Sequence, residues 1–196
     1  VDAMFKGDEF WRNVKTSYDR KHPMVKEMWS FIEKVVIRAI CQGGEIHFGP
    51  DQQFIARKDE IQLPSGRILR YPKAEYKGQE TDNGFRMTTV FDSGLRTKSG
   101  AIVPKYMWFG LILENIVQAT ARDVLGWQKV RVYDLLESTG NGELIGSVHD
   151  ETLSNLKNET VDATFSAIQS IMSSSPIWAL GIPLDNEGGY APEYSK

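Results

Sequence analysis

Apolar residues recur at three- and four-residue spacing over positions 24 to 41 (Met28, Ile32, Val35, Val36, Ala39 and Ile40), and that period predicts an amphipathic helix. Pro23 suits its first turn and Gly43-Gly44 its end. Over residues 45 to 104 the pattern shortens to β-like runs at 46–48, 54–56, 68–71 and 87–91. Gly-Pro, Pro-Ser-Gly, Asp-Asn-Gly and Asp-Ser-Gly break them, which predicts a small irregular sheet with hairpins. Helical spacing returns from about residue 106 to 137, with Phe109, Ile112, Leu113, Ile116, Val117, Thr120 and Val124 on one stripe. Gly126 is a weak point inside that helix.

Two alternating runs, 144–147 and 152–156, then meet at His149-Asp150 and predict a hairpin with an acid at its tip. A helix follows over about 160 to 172, with Val161, Phe165, Ile168 and Met172 inward. Residues 173 to 176 break it, and a last strand is expected at 178 to 184. This order describes an α+β protein, with long helices packed on a small antiparallel sheet and an irregular β-hairpin insertion. The breaks suggest three parts: helical 1–45, irregular β-rich 46–105, and a C-terminal segment 106–196.

Composition narrows the class. The 196 residues, 41% hydrophobic and 25% charged, suit one domain or two small ones with a buried core. A net charge of −3 is not the basic signature of a self-sufficient nucleic-acid binder. The single cysteine, Cys41, has no partner for a disulfide or a zinc site and reads as a small buried hydrophobe. No stretch approaches the ~20 apolar residues of a membrane span. The first residues lack a signal-peptide plan and an initiator Met, so we expect a cytoplasmic fragment or processed product.

The candidate chemistry gathers at Val148-His149-Asp150-Glu151. Adjacent acids point to opposite faces of a regular strand, but at a hairpin tip both can approach one cation. An acid fixed there suits Mg²⁺ held against phosphates, whereas the tetrad alone also fits a solvated acidic turn. Glu114, Gln118 and Arg122 share a polar helix face, which reads as a ladder worth ~0.3–0.5 kcal/mol per pair or as a face against a nucleic-acid groove. Gln118 and Asn115, one turn apart, can both donate to minor-groove acceptors. Phe91-Asp92-Ser93-Gly94-Leu95-Arg96 reads as a turn. The sequence contains no Gly-Lys-Ser/Thr phosphate loop, and His22, His47 and His149 share no metal-ligand spacing.

Several stretches in order resemble one family. The segment Leu113-Glu114-Asn115-Ile116-Val117-Gln118-Ala119-Thr120-Ala121-Arg122-Asp123-Val124-Leu125 resembles the long palm helix of family A DNA polymerases, in particular the bacteriophage branch of the DNA polymerase I class. Val148-His149-Asp150-Glu151 is similar to that family's motif C, and Trp178-Ala179-Leu180-Gly181-Ile182-Pro183-Leu184 with Glu187-Gly188 and Tyr194-Ser195-Lys196 to its ending. Tyr18-Asp19-Arg20-Lys21-His22-Pro23, leading to Trp29 and Glu33, resembles the segment after the fingers helix. Pro64-Ser65-Gly66-Arg67 with Tyr71-Pro72 resembles the turn that follows.

The resemblance implies a C-terminal fingers/palm segment of a DNA-directed DNA polymerase, with 1–45 in the fingers and 106–196 in the palm. Asp150 would be a catalytic Mg²⁺ ligand, Glu151 an assisting catalytic acid, and His149 a contact to the primer-terminal backbone. Gln118 and Asn115 would touch the template-primer minor groove. Two Mg²⁺ ions, primer-template DNA and a dNTP are implied, in a host cytoplasm if the source is a phage. The family's motif A strand, which bears the other metal-binding Asp, and its triphosphate-binding fingers helix have no counterpart in residues 1–196. A complementary polymerase portion is therefore expected to supply both. Two other readings stand beside this one: a non-catalytic accessory module that kept a polymerase-like palm, and a metal-dependent hydrolase using His149 and Asp150.

Overall fold

The computed structural model describes residues 7–81 and 84–193. Asp82-Asn83 of the expected Asp-Asn-Gly turn and the closing Tyr194-Ser195-Lys196 lie outside the described residues. The chain divides into two compact units, Val1–Ile116 and Val117–Lys196.

In the first unit, α1 (Asp8–Lys21) is followed by α2 (Pro23–Phe31), which Pro23 opens at a position where its missing N–H costs nothing. A π-helical turn (Ile32–Val36) continues into α3 (Ile37–Gln42). The single helix expected over 24–41 is thus present, but widened by the π turn. Together these turns bury Ile32, Val36, Ile37, Ala39, Ile40 and Cys41. Gly43, with φ of 92°, ends the helix in a conformation that a side chain would resist.

Two antiparallel sheets follow. The first runs β1 (Ile46–Phe48), β2 (Phe54–Arg57), β3 (Glu60–Gln62) and β4 (Ile68–Arg70), each strand pairing with the next. Gly49-Pro50 and Pro64-Ser65-Gly66 form reversals in it, as expected. The second sheet is β5 (Glu75–Thr81), β6 (Gly84–Arg96) and β7 (Ile102–Tyr106). Here the expected turn at Asp92-Ser93-Gly94 is corrected: these residues form a bulge inside β6, where the register with β7 shifts. The turn chemistry is real but local. The Asp92 carboxylate accepts from the Gly94 N–H (2.9 Å), Gly94 takes a φ of 76°, and the strand continues. Ala56, Ile61, Leu63, Tyr71, Ala74, Val90 and Met107 are buried with the helices in this unit's core.

The long helix α4 (Phe109–Thr139) starts in this unit. The Glu33 carboxylate, on the π turn, accepts the Phe109 backbone N–H (3.0 Å), which satisfies one of the free donors at the helix start. Trp29 stacks on Phe109 with ring centroids 5.3 Å apart. Along α4 the buried positions Ile112, Ile116, Val124, Gln128, Val132 and Leu136 belong to a row of four-residue steps. At 3.6 residues per turn such a row drifts by about 40° per step, so the covered side winds around the helix. Val117, expected on the apolar stripe, is accordingly 56% exposed.

The second unit carries the rest of α4, the hairpin of β8 (Gly142–Val148) and β9 (Glu151–Leu156), and α5 (Val161–Met172). The strand expected over 178–184 is corrected. Ile177–Ala179 is a 3₁₀ turn, and the described residues after it have no regular structure. Gly181 takes a φ of 87° and Pro183 has no N–H to donate, so the run cannot sustain a ladder despite its apolar residues. The tail instead runs back along α5. Asn186 donates to the Gln169 carbonyl (2.9 Å), and Tyr190 donates to Asp162 and packs edge-on against Phe165.

A hairpin acid and an exposed helix face

Val148 pairs with Glu151, so only His149 and Asp150 remain in the loop between β8 and β9. Two-residue hairpin loops match the strand twist when both central residues, or the first alone, take positive φ, and His149, the first, has a φ of 51°. Histidine is among the non-glycine residues that tolerate this region. Both loop side chains are exposed, while Glu151 is half-buried as the first residue of β9. The hairpin therefore places His149 and Asp150 in its two-residue loop, with Glu151 opening the paired strand that follows.

The base of the hairpin is held firmly. The Lys157 N–H donates to the Asn141 carbonyl (2.8 Å), and a side chain at Gly142 would collide with the Asn155 carbonyl oxygen. Nearer the tip, the Lys129 ammonium on α4 donates to the Ser147 hydroxyl on β8. Burial, and after it the Arg122 charge, holds the Lys129 ammonium below its ordinary range.

The α4 candidates separate. Asn115 belongs to the first unit and is half-buried, and its amide donates to the Tyr71 hydroxyl (3.2 Å). Burial raises the Tyr71 phenol above its usual range, and the Asn115 contact pulls it partly back. Gln118 belongs to the second unit, as the hairpin does, and is exposed. Glu114, Gln118 and Arg122 all face solvent, and among the described residues no hydrogen bond or ion pair joins them. Lys129 is the functional candidate that sequence reasoning missed. Its signal is the continuation of the Gln118-Arg122 row by a further seven residues.

Among the described residues, no three His, Cys, Asp or Glu side chains gather into a metal-ligand group. Among those residues, too, no helix is long and apolar enough to cross a membrane. No family model matches the chain. No solved structure matches it. It is similar to the DNA polymerase of Bacillus phage SP02, 29% identical over 177 residues that make up 88% of this chain and 25% of that protein. The chain thus spans about a quarter of that relative's length, and the likeness supports a DNA polymerase relationship.

Proposed function

We propose that this chain is the C-terminal fingers/palm part of a family A DNA polymerase of the bacteriophage branch, acting in two-metal transfer of deoxynucleotides onto a primer 3′-hydroxyl. One observation carries the reading. An exposed acid, Asp150, sits at the tip of a tight hairpin after a long helix, in a chain similar over 88% of its length to a phage DNA polymerase.

The donor set fits Mg²⁺. That ion takes oxygen ligands, keeps several waters, and is usually held by one or two carboxylates together with substrate phosphates. When bound, Mg²⁺ supplies charge stabilisation to the transferring phosphoryl group and lowers the pKa of the attacking hydroxyl. Asp150 would hold it, with Glu151 as the assisting acid. Asp150 is presented from a paired strand end, which restricts where its carboxylate can lie. His149, beside it, offers a ring N–H to the primer-terminal phosphate. Gln118 offers its amide to minor-groove acceptors, while Asn115 already donates one of its amide N–H groups to Tyr71 and keeps the other for a base edge. On this reading the second metal-binding Asp and the triphosphate-binding helix come from the complementary polymerase portion. Primer-template DNA and a dNTP are the substrates.

The test joins the chain to that portion and compares Asp150→Ala with the unmodified protein in single-turnover primer extension. Loss of a metal ligand removes several kcal/mol of transition-state stabilisation, so incorporation should fall by about 10³-fold. Primer-template affinity should change little, and Glu151→Gln should lose less than Asp150→Ala. Near-normal incorporation by Asp150→Ala would overturn the assignment.

A further inference from the structure

Gln118, Arg122, Gly126 and Lys129 follow one another along α4 at steps of four, four and three, so they fall within one arc of the helix. The first three are exposed. Lys129 is half-buried where it meets β8, through Ser147, which lies three residues before Asp150. This row contains no acidic side chain. Among the described residues neither Arg122 nor Lys129 forms an ion pair. Partial burial of the ammonium, and after it the Arg122 charge, disfavour the charged state of Lys129. A polyanion along the row would offset the repulsion and favour the charged ammonium. Between the two cations, Gly126 leaves the helix bare, and a methyl group placed there would meet nothing within 4 Å.

We propose that Arg122 and Lys129 form a two-cation track on α4 that receives the phosphodiester backbone of the primer-template duplex beside the Asp150 hairpin, with the bare surface at Gly126 admitting that backbone between them. The identity of the polyanion rests on the polymerase reading, whereas the contact surface rests on the α4 geometry. Gln118 continues the row as a neutral donor, so phosphate contacts hold the duplex while the amide meets a base edge.

The experiment titrates the full 196-residue chain with a fluorescent primer-template and follows anisotropy from about 50 to 200 mM salt. Each phosphate contact contributes about 0.9 to the slope of log affinity against log salt. Arg122→Ala and Lys129→Ala should each lower that slope by about 0.9 and weaken binding at low salt. Arg122→Lys and Lys129→Arg should restore most of both, which a purely structural role would not require. A thermal melt of each variant checks that the fold is intact. Unchanged affinity and slope in both alanine variants overturn the track, as does absence of duplex binding by the unmodified chain at the lowest salt. A second arm replaces duplex with a deoxynucleoside triphosphate. If that ligand alone binds and loses affinity in the same variants, the cations serve the nucleotide and the duplex track is wrong. Failure of the polymerase reading shows differently: the unmodified chain joined to the complementary portion would extend no primer, while the slope losses persist.

Discussion

Gln128 lies on the covered side of α4 among Val124, Val132 and Leu136, yet its side chain is an amide. Only 4% of the residue is exposed, and the amide nitrogen donates to the carbonyls of Met172 (2.6 Å) and Ser174 (3.0 Å). Those carbonyls lie at and just past the end of α5, where a helix has no partners of its own to offer. Gln128→Leu should therefore destabilise the protein by about 1–3 kcal/mol, because it strands buried acceptors while keeping the volume. Urea unfolding of the variant would measure this, and a loss under about 0.5 kcal/mol would mean that water replaces the amide. In the sequence Gln128 looks like a gap in an apolar stripe, since its partners lie on another element. The hairpin residues were more legible. Val148-His149-Asp150-Glu151 sits between two alternating runs, and its turn follows from local spacing.

At the scale of elements, α4 was readable because its apolar period persists over many turns, and the hairpin because both strands flank one short loop. Gly126 is the position where α4 departs from helical preference. An exposed glycine inside a helix costs about 0.5–1 kcal/mol relative to alanine, and space for the methyl group is open. Gly126→Ala is thus expected to raise stability by about that amount in a denaturant titration. A destabilised variant would show that the helix needs the glycine for a distortion or for a close neighbour. Other elements misled. Asp-Ser-Gly has turn chemistry, but that chemistry made a bulge, because β7 pairs with β6 on both sides of it. The closing apolar run resembled a strand, but its Gly181 and Pro183 deny it a ladder. The helix α1 lies inside the part read as helical, 1–45, but its bounds were not: its apolar residues Phe10, Trp11, Val14 and Tyr18 are 38–50% exposed, so it has little covered face.

For the whole molecule, the proposed reaction needs a second acid and a triphosphate-binding helix beyond what the Asp150 hairpin supplies. The chain alone is therefore expected to show no Mg²⁺-dependent primer extension and to gain it when joined to the complementary polymerase portion. Extension by the lone chain, abolished by Asp150→Ala so that contamination is excluded, would show that this chain holds a complete site. Apolar surface is also open in the second unit, with Ile145 63%, Ile177 85% and Leu180 70% exposed. Such surface favours association.

Properties that depend on neighbours along the chain were set by the sequence alone. They include the α+β order, the long helix with its stop at Gly140, the hairpin, and the placement of an acid at its tip. Period, turn residues and caps act within a few positions, so their signal survives without a partner. Properties that depend on what lies across space were decided only by the tertiary structure. Folding committed the Asn115 amide to Tyr71, tied Gln128 to the end of α5, drew Lys129 to the hairpin beside Arg122, and laid the closing segment along α5. A hydrogen bond between distant residues leaves no period in the sequence, because its strength is set by a distance that exists only after both elements have packed.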